Sequence, residues 1–170
     1  MKSSLIAVIS ILVMMACKES TPRYASSSPE IDSLKALVND YENGNWEAWM
    51  SHYADTAKLY HNSIEASTPQ EIRNNLAALL ADVSSYEFDK DDIFYEMVLD
   101  DDGETWVNFW GDWKGTLAAN DETLNIPVHI TAQFVDGKIV REHAYYDLSK
   151  YMAAMQAIKE AEMNEEEPME

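Results

Sequence analysis

The amino-acid sequence predicts an α+β fold in which a curved antiparallel sheet wraps around three N-terminal helices. Apolar residues recur mostly at helical spacing up to residue 83, and strand-like alternation replaces that spacing from residue 84 onward. A hairpin signal, Asp136-Gly137, separates the last two runs of strand-forming residues. Helices followed by hairpin-linked strands are typical of two layers with helices on one face of the sheet. Long strands curl, so we expect the concave face to enclose a pocket.

The first two helices are predicted close together in the chain. Ser28-Pro29 is typical of an N-cap followed by proline at the first helical position. A second, short helix carries an aromatic stripe from Trp46 to Tyr53, and such a stripe usually packs in the core. Residues 57–62 (AKLYHN) then predict a short strand.

The third helix begins at a capping box, with Thr68 at the N-cap and Glu71 three residues later. Alternation of apolar and polar residues predicts the strands that follow, at 86–88, 93–99, 105–117, 124–135 and 138–146. A final helix is expected to be capped by Asp147 or Ser149, and its apolar positions extend to Ile158.

One folded domain with extensions at both ends is expected from 170 residues. The predicted segments are a lipoprotein signal peptide at 1–16, a flexible tether at 17–28, the domain at 29–158 and an acidic tail at 159–170. The tether is rich in serine and lacks apolar periodicity, and the tail is rich in glutamate.

The N-terminal segment has the features of a secretory signal. Lys2 precedes an apolar run that is shorter than the roughly 20 residues of a membrane-spanning helix. Met14-Met15-Ala16-Cys17 resembles a bacterial lipoprotein box, which implies cleavage before Cys17 and lipidation of its thiol. We therefore expect a lipid-anchored protein of the bacterial cell envelope, attached to the membrane through Cys17. The alternative is an ordinary signal peptide in which the cysteine is incidental.

Charge and composition exclude several classes of function. The chain has 31 acidic and 12 basic residues, a net charge of −19, which opposes nucleic-acid binding. One cysteine allows no intrachain disulfide. The four histidines do not follow the spacing of a zinc motif, and there is no glycine-rich phosphate loop, so no metal and no cofactor are predicted.

Four short motifs carry a resemblance to a known family: Gly44-Asn45-Trp46, Tyr53-Ala54-Asp55, Asp136-Gly137-Lys138-Ile139 and Tyr145-Tyr146-Asp147. In this order they resemble the SnoaL-like branch of the nuclear transport factor 2-like superfamily, which has a cystatin-like fold. The resemblance covers about residues 30–155 and implies a cone-shaped pocket. The superfamily includes isomerases, cyclases, dehydratases, epoxide hydrolases and binding modules without activity, so the fold does not determine the function.

One specific reaction of the superfamily is poorly matched. Tyr60-His61-Asn62 is similar to the Tyr-x-Asn of epoxide hydrolases related to limonene-epoxide hydrolase. The arginine and aspartate of their penultimate strand are missing here, and Ala144 stands where an acid of the last strand is expected. Two of the three elements are therefore absent.

The candidate catalytic residues are His143 and Asp147. Together with Tyr145 they share one strand parity, so all three can point into the pocket. There the aspartate would orient the imidazole, and the tyrosine would donate a hydrogen bond to a developing oxyanion. The alternative is that this parity faces solvent or a second subunit, and that Glu142, Ala144 and Tyr146 face inward.

Candidate ligand-binding residues combine aromatic and polar side chains: Tyr53, Tyr60, Asn62, Trp106, Asn108, Trp110, His129, Gln133 and Tyr145. Aromatic rings with interspersed polar groups suit a pocket for an apolar or ring-shaped ligand. The alternatives are that the tryptophans pack in the core or at a dimer interface, and that the apolar parity around His129 packs on the helices.

Two hypotheses about function follow. In the first, the protein is a lipid-anchored module that binds a small apolar or aromatic molecule, with a homodimer through the sheet as a further expectation. In the second, it is a cofactor-free isomerase, cyclase or dehydratase in which a histidine or aspartate accepts a proton.

Overall fold

The computed structural model describes residues 22–166. Its helices are α1 (Pro29–Glu42), α2 (Trp46–Ser51), α3 (Pro69–Leu79) and α4 (Ser149–Glu166). Its strands are β1 (Tyr24–Ala25), β2 (Tyr53–His61), β3 (Val83–Phe88), β4 (Phe94–Leu99), β5 (Thr105–Leu117), β6 (Thr123–Val135) and β7 (Lys138–Tyr146). The predicted signal peptide, Cys17 and the first part of the tether lie outside the described residues.

The two predicted helix starts are confirmed in atomic detail. The Ser28 hydroxyl accepts a hydrogen bond from the Ile31 amide at 3.1 Å, at the start of α1. At α3 the Glu71 amide donates to the Thr68 hydroxyl, and the Thr68 amide donates to the Glu71 carboxylate. Each cap satisfies amides that have no partner within the helix.

Two segments differ from the sequence predictions. Tyr24 and Ala25, predicted in the tether, form β1 and pair with Val98 and Met97 of β4. Tyr53, predicted on the second helix, instead begins β2, because α2 ends at Ser51. A stripe at helical spacing cannot show that the chain turns directly from a short helix into a strand.

The strands form one mixed sheet in the order β1-β4-β5-β6-β7-β2, and β3 also pairs with β5. The predicted curved antiparallel sheet is confirmed at every pair but one, since β2 runs parallel to β7. No hairpin links β2 to β7, so no local turn signal could indicate their relative direction. This pairing places residues 58–61 beside residues 141–144.

Helices α1, α2 and α3 cover one face of the sheet, called here the inner face. Ile31 and Leu34 of α1 are fully buried, as are Val107 and Phe109 of β5 and Ile139 of β7. The alternation of buried residues along β5 shows that its odd-numbered side chains point inward and its even-numbered ones outward. The opposite side of the sheet is called the outer face.

The C-terminal helix is longer than predicted. It continues through the expected domain end at Ile158 and reaches Glu166, so the boundary at 158/159 falls inside α4. Alanine, glutamate, lysine and methionine are good helix formers, and the Gln156 side chain donates to the Glu160 carboxylate at 2.8 Å, one turn along. Among residues 22–166, no helix is long and apolar enough to cross a membrane.

Gly115 on β5 leaves room for the indole of Trp113, two residues earlier on the same inner face. A Cβ atom added at Gly115 would lie 1.9 Å from Cη2 of Trp113, which is far inside van der Waals contact. Because Gly115 has no side chain, the indole of Trp113 can lie over it in this position.

We predict that Gly115→Ala will lower the free energy of unfolding by about 1–3 kcal/mol, because Trp113 must leave its position. Urea denaturation followed by tryptophan fluorescence measures the change. The control is Thr116→Ala on the outer face of the same strand. Equal stability of the two variants would contradict this account of the Trp113 position.

Candidate functional site

A cavity of about 110 Å³ lies between the helices and the inner face of the sheet. Most of its wall is apolar. The lining residues are Leu37, Val38, Tyr41, Trp49, Tyr53, His61, Leu76, Leu79, Leu80, Phe88, Trp113, Ile126, Val128, Ile130, Glu142, Ala144, Tyr146, Leu148 and Tyr151. Cavities of this kind bind small apolar molecules, and an apolar cavity of about 150 Å³ accepts benzene. The space therefore suits one small ring.

A charged side chain, Glu142 of β7, lies in this apolar wall and is 1% exposed. Two residues of β2 hold its carboxylate. The Tyr53 hydroxyl donates to Oε2 at 2.9 Å, and His61 Nε2 lies 2.8 Å from Oε1. His61 Nδ1 lies 3.3 Å from the hydroxyl of Tyr146. We call these four residues the buried polar network.

The tyrosines of the network stay protonated over the whole physiological range. Burial and the neighbouring charge of Glu142 raise the pKa of Tyr146 to about 12. The same two causes, in the same order, raise the pKa of Tyr53 well above its ordinary value. Both hydroxyls are therefore hydrogen-bond donors, which suits them to an anionic partner in the cavity.

Chemically, the network combines a carboxylate, an imidazole and two hydroxyls within hydrogen-bond reach of one another. A carboxylate in an apolar wall can accept a proton from a bound molecule, and an adjacent imidazole can exchange protons with it. Hydroxyl donors nearby can stabilise a developing oxyanion.

Trp113 of β5 forms another part of the cavity wall. Its indole Nε1 is shielded from solvent, and among the side chains described at residues 22–164 it is the one such polar atom without a hydrogen bond of ordinary length and angle. The Tyr41 oxygen on α1 is its weak acceptor: burial raises the pKa of Tyr41, and the hydrogen bond from the Trp113 N–H partly opposes this rise.

Of the predicted site residues, Tyr53 is the one that the structure places in the cavity wall. Six aromatic side chains instead form a continuous row across five strands of the outer face. This aromatic row consists of Phe94, Trp110, His129, Tyr145, His143 and Tyr60, with neighbouring ring centroids 4.6–6.4 Å apart. Tyr145 is 53% exposed and Trp110 is 39% exposed. The row therefore faces away from the cavity.

The predicted position of the catalytic candidates in the pocket is wrong. His143 points to the outer face and stacks on Tyr60, while burial and the charge of Arg141 lower its pKa. Asp147 is exposed beyond the end of β7, and its carboxylate accepts a hydrogen bond from the Ser149 amide, which lowers its pKa. The inward parity is the alternative one, with Glu142, Ala144 and Tyr146 in the cavity wall.

The remaining candidates also lie outside the cavity wall. Trp106 and Asn108 have the outward parity of β5, and Gln133 is buried between its register partners Trp106 and Arg141. Asn62 holds β2 to β7, since its side-chain amide bonds with both the N–H and the C=O of Tyr146. These residues make contacts within the sheet and do not line the cavity.

Sequence reasoning missed His61, and it named Glu142 only as part of the alternative parity. Alternation identifies two faces of a strand, but the face that is covered depends on where the helices pack. A usable signal was present, because Glu142 is the one charged residue between apolar inward neighbours on β7.

Within the described part of the chain, no three potential metal ligands come together. The cavity wall has one carboxylate and one imidazole, fewer ligands than the four of a structural zinc site.

Comparison with known proteins agrees with the fold. The SnoaL-like domain model matches residues 34–142, so the chain belongs to the SnoaL-like family. No curated protein matches the chain.

Several solved structures share the fold. A protein of Xanthomonas campestris, provisionally assigned as a polyketide cyclase, is 18% identical with a TM-score of 0.60, covering 76% of this chain and 98% of its own. AclR of Streptomyces galilaeus, which is provisionally assigned as a hydroxylase, is 11% identical with a TM-score of 0.62. The match covers 75% of this chain and 96% of AclR. A protein of Shewanella denitrificans, provisionally assigned as a SnoaL-like polyketide cyclase, is 11% identical with a TM-score of 0.57. The match covers 77% of this chain and 99% of that protein. At these identities the likeness shows the fold alone.

Removal of one member of the network tests whether Glu142 depends on it. We predict that His61→Ala will destabilise the protein by about 3–5 kcal/mol, because it leaves a buried carboxylate without its charged or polar partner. His143→Ala, on the outer face of β7, is the matched control and should change stability much less. Chemical denaturation measures both, and a loss at His61 no larger than at His143 would contradict the network.

Proposed function

We propose that this protein binds a small, mostly apolar molecule in the cavity between the helices and the inner face. The observation that carries the proposal is an apolar cavity whose wall includes a buried, fully hydrogen-bonded carboxylate. Ligand sites are typically concave and apolar with a few placed polar groups. Membership of the SnoaL-like family supports it, since this fold encloses a pocket.

Filling the cavity should abolish this binding. A panel of single-ring compounds that includes cyclopentanone and methylenecyclopentane serves as probes for the purified full chain. At 100 times its Kd, a probe should raise the melting temperature by about 5 °C. Ala144→Leu places extra methyl groups in the cavity wall, and we predict that it will remove the shift.

Ala119→Leu, the same change at an exposed position, is the control and should keep the shift. If no probe of this size stabilised the unmodified protein, or if Ala144→Leu bound as well as the control, the cavity would not be the binding site.

A second candidate function is cofactor-free proton transfer, of the kind that isomerases, cyclases and dehydratases perform. It is favoured by the contact of Glu142 with His61 in the cavity wall at 2.8 Å. Glu142 would take a proton from the carbon next to a carbonyl group, and the electron pair would move to the carbonyl oxygen. The neutral hydroxyl of Tyr146 would turn from His61 Nδ1 to donate to that enolate, and the proton would return from the carboxyl group.

Hydrogen exchange measures this reaction without knowledge of the natural substrate. We predict that the protein will accelerate exchange of the α-protons of cyclopentanone in D2O, and that Glu142→Gln will reduce the acceleration by about 100-fold or more. Exposed Glu122→Gln is the control. Proton NMR follows the exchange, and equal rates with Glu142→Gln and without protein would leave binding as the function.

Two further proposals concern the surroundings of the protein. We propose an anchor in the bacterial cell envelope through lipidated Cys17, which the lipoprotein box supports. The intact mass of the membrane-extracted chain tests it.

We also propose a homodimer through the outer face, which the exposed rings of the aromatic row support. Sedimentation of Trp110→Lys, compared with sedimentation of the unmodified chain, tests it.

A further inference from the structure

Helix α4 closes part of the cavity, yet it buries little of its own length. Leu148, just before the helix, and Tyr151 in its first turn belong to the cavity wall. Tyr151 and Ala154 are buried, whereas every side chain described from 159 to 164 is exposed. Helix α1, by contrast, buries four side chains. The start of α4 therefore covers the cavity, while the rest of the helix lies on the surface.

One polar contact joins α4 to the elements beside it. The Tyr151 hydroxyl donates to the backbone carbonyl of Leu79, the last residue of α3, at 2.9 Å. Among the side chains described at residues 22–164, no other hydrogen bond and no ion pair links α4 to a helix or to the sheet. Local opening occurs most readily in parts of a fold that have few buried contacts. Helix α4 is such a part.

The outward half of α4 also has free space beneath it. A groove lies between the helix and the segments 81–82 and 118–119, and Met152, Met155 and Lys159 line its helical side. Packed side chains on this side therefore do not prevent the helix from moving.

The residues just before α4 have the features of a hinge. Asn62 fixes the last residue of β7, because its side chain bonds with the N–H and the C=O of Tyr146 at 3.1 and 2.7 Å. Asp147 and Leu148 follow with neither helical nor strand backbone, and α4 begins at Ser149. Hinges are typically a few residues at the end of an element that absorb changes in φ and ψ. Movement at Asp147-Leu148 would leave β7 in place.

We propose that α4 is a lid through which small molecules enter and leave the cavity, hinged at Asp147-Leu148 and held closed by the hydrogen bond from Tyr151 to Leu79. When the lid opens, Tyr151 leaves the cavity wall and exposes the apolar space behind it. The opening is a property of the fold, whereas its role in ligand exchange rests on the proposed function. The two parts are therefore tested separately.

Hydrogen exchange followed by mass spectrometry tests the opening in the full chain without ligand. A helix in a protein owes most of its stability to packing, so its amides exchange when the lid leaves the fold. Tyr151→Phe keeps the ring and removes the hydroxyl. Because the net contribution of one hydrogen bond changes an equilibrium constant by up to about tenfold, the amides of residues 152–158 should exchange up to about tenfold faster, while those of α1 should change little.

Tyr86→Phe is the matched control for this exchange experiment. The Tyr86 hydroxyl also donates to a backbone carbonyl, that of Tyr41, at 3.1 Å, and it lies away from α4. This variant should leave the exchange of residues 152–158 unchanged. Equal exchange of α4 in the two variants, or acceleration of α1 together with α4 in Tyr151→Phe, would overturn the lid.

The rates of cyclopentanone binding test the role of the lid in ligand exchange. A lid controls passage and not the affinity of the closed site, so Tyr151→Phe should raise the association and dissociation rates by a similar factor and change Kd much less. NMR line shapes during a titration give both rates, and Tyr86→Phe again serves as the control.

The outcomes separate this inference from the proposed function. Unchanged rates in a variant whose α4 exchanges faster would show that ligands pass elsewhere, which would overturn the lid and leave the cavity as a binding site. If cyclopentanone and the other single-ring probes did not bind the unmodified chain, the proposed function would fail, and the role of α4 in ligand exchange would fail with it.

Discussion

The buried carboxylate of Glu142 is the constraint on which the rest of the site depends. An isolated carboxylate inside a protein costs several kcal/mol, so this one requires donors on more than one side. Tyr53 and His61, both on β2, supply them. The parallel pairing of β2 with β7 therefore has a chemical role as well as a structural one. Without it, the last strand would carry an unpaired charge into the apolar space beneath the helices.

The two faces of the sheet have different chemistry although they share the same strands. The inner face combines apolar side chains with the buried polar network. The outer face carries the aromatic row, in which His129 and His143 stack between larger rings. An enclosed surface with a few polar groups suits a small molecule, whereas a half-exposed row of rings suits another macromolecule. The arrangement would keep the proposed ligand site apart from the proposed dimer surface.

Local signals in the sequence predicted most of the fold. The caps at Ser28 and Thr68 marked helix starts because they depend on neighbouring residues alone, and Asp136-Gly137 marked the last hairpin for the same reason. The site was harder to predict, because His61 and Glu142 are 81 residues apart and meet only through the pairing of β2 with β7. The polar and aromatic side chains that attracted attention, such as His143 and Trp110, lie on the outer face. The large number of polar and aromatic side chains is a property of the outer face and not of the cavity.

His61 and Glu142 form a hydrogen-bonded pair shielded from water, and NMR of the histidine ring protons can detect this directly. The chain has four histidines, so the His61 signal can be assigned by its loss in His61→Gln. We predict an Nε2–H proton of His61 that exchanges with water slowly enough to be observed at neutral pH. If all protons of the His61 ring exchanged too fast to be seen, the shielded hydrogen bond to Glu142 would be absent.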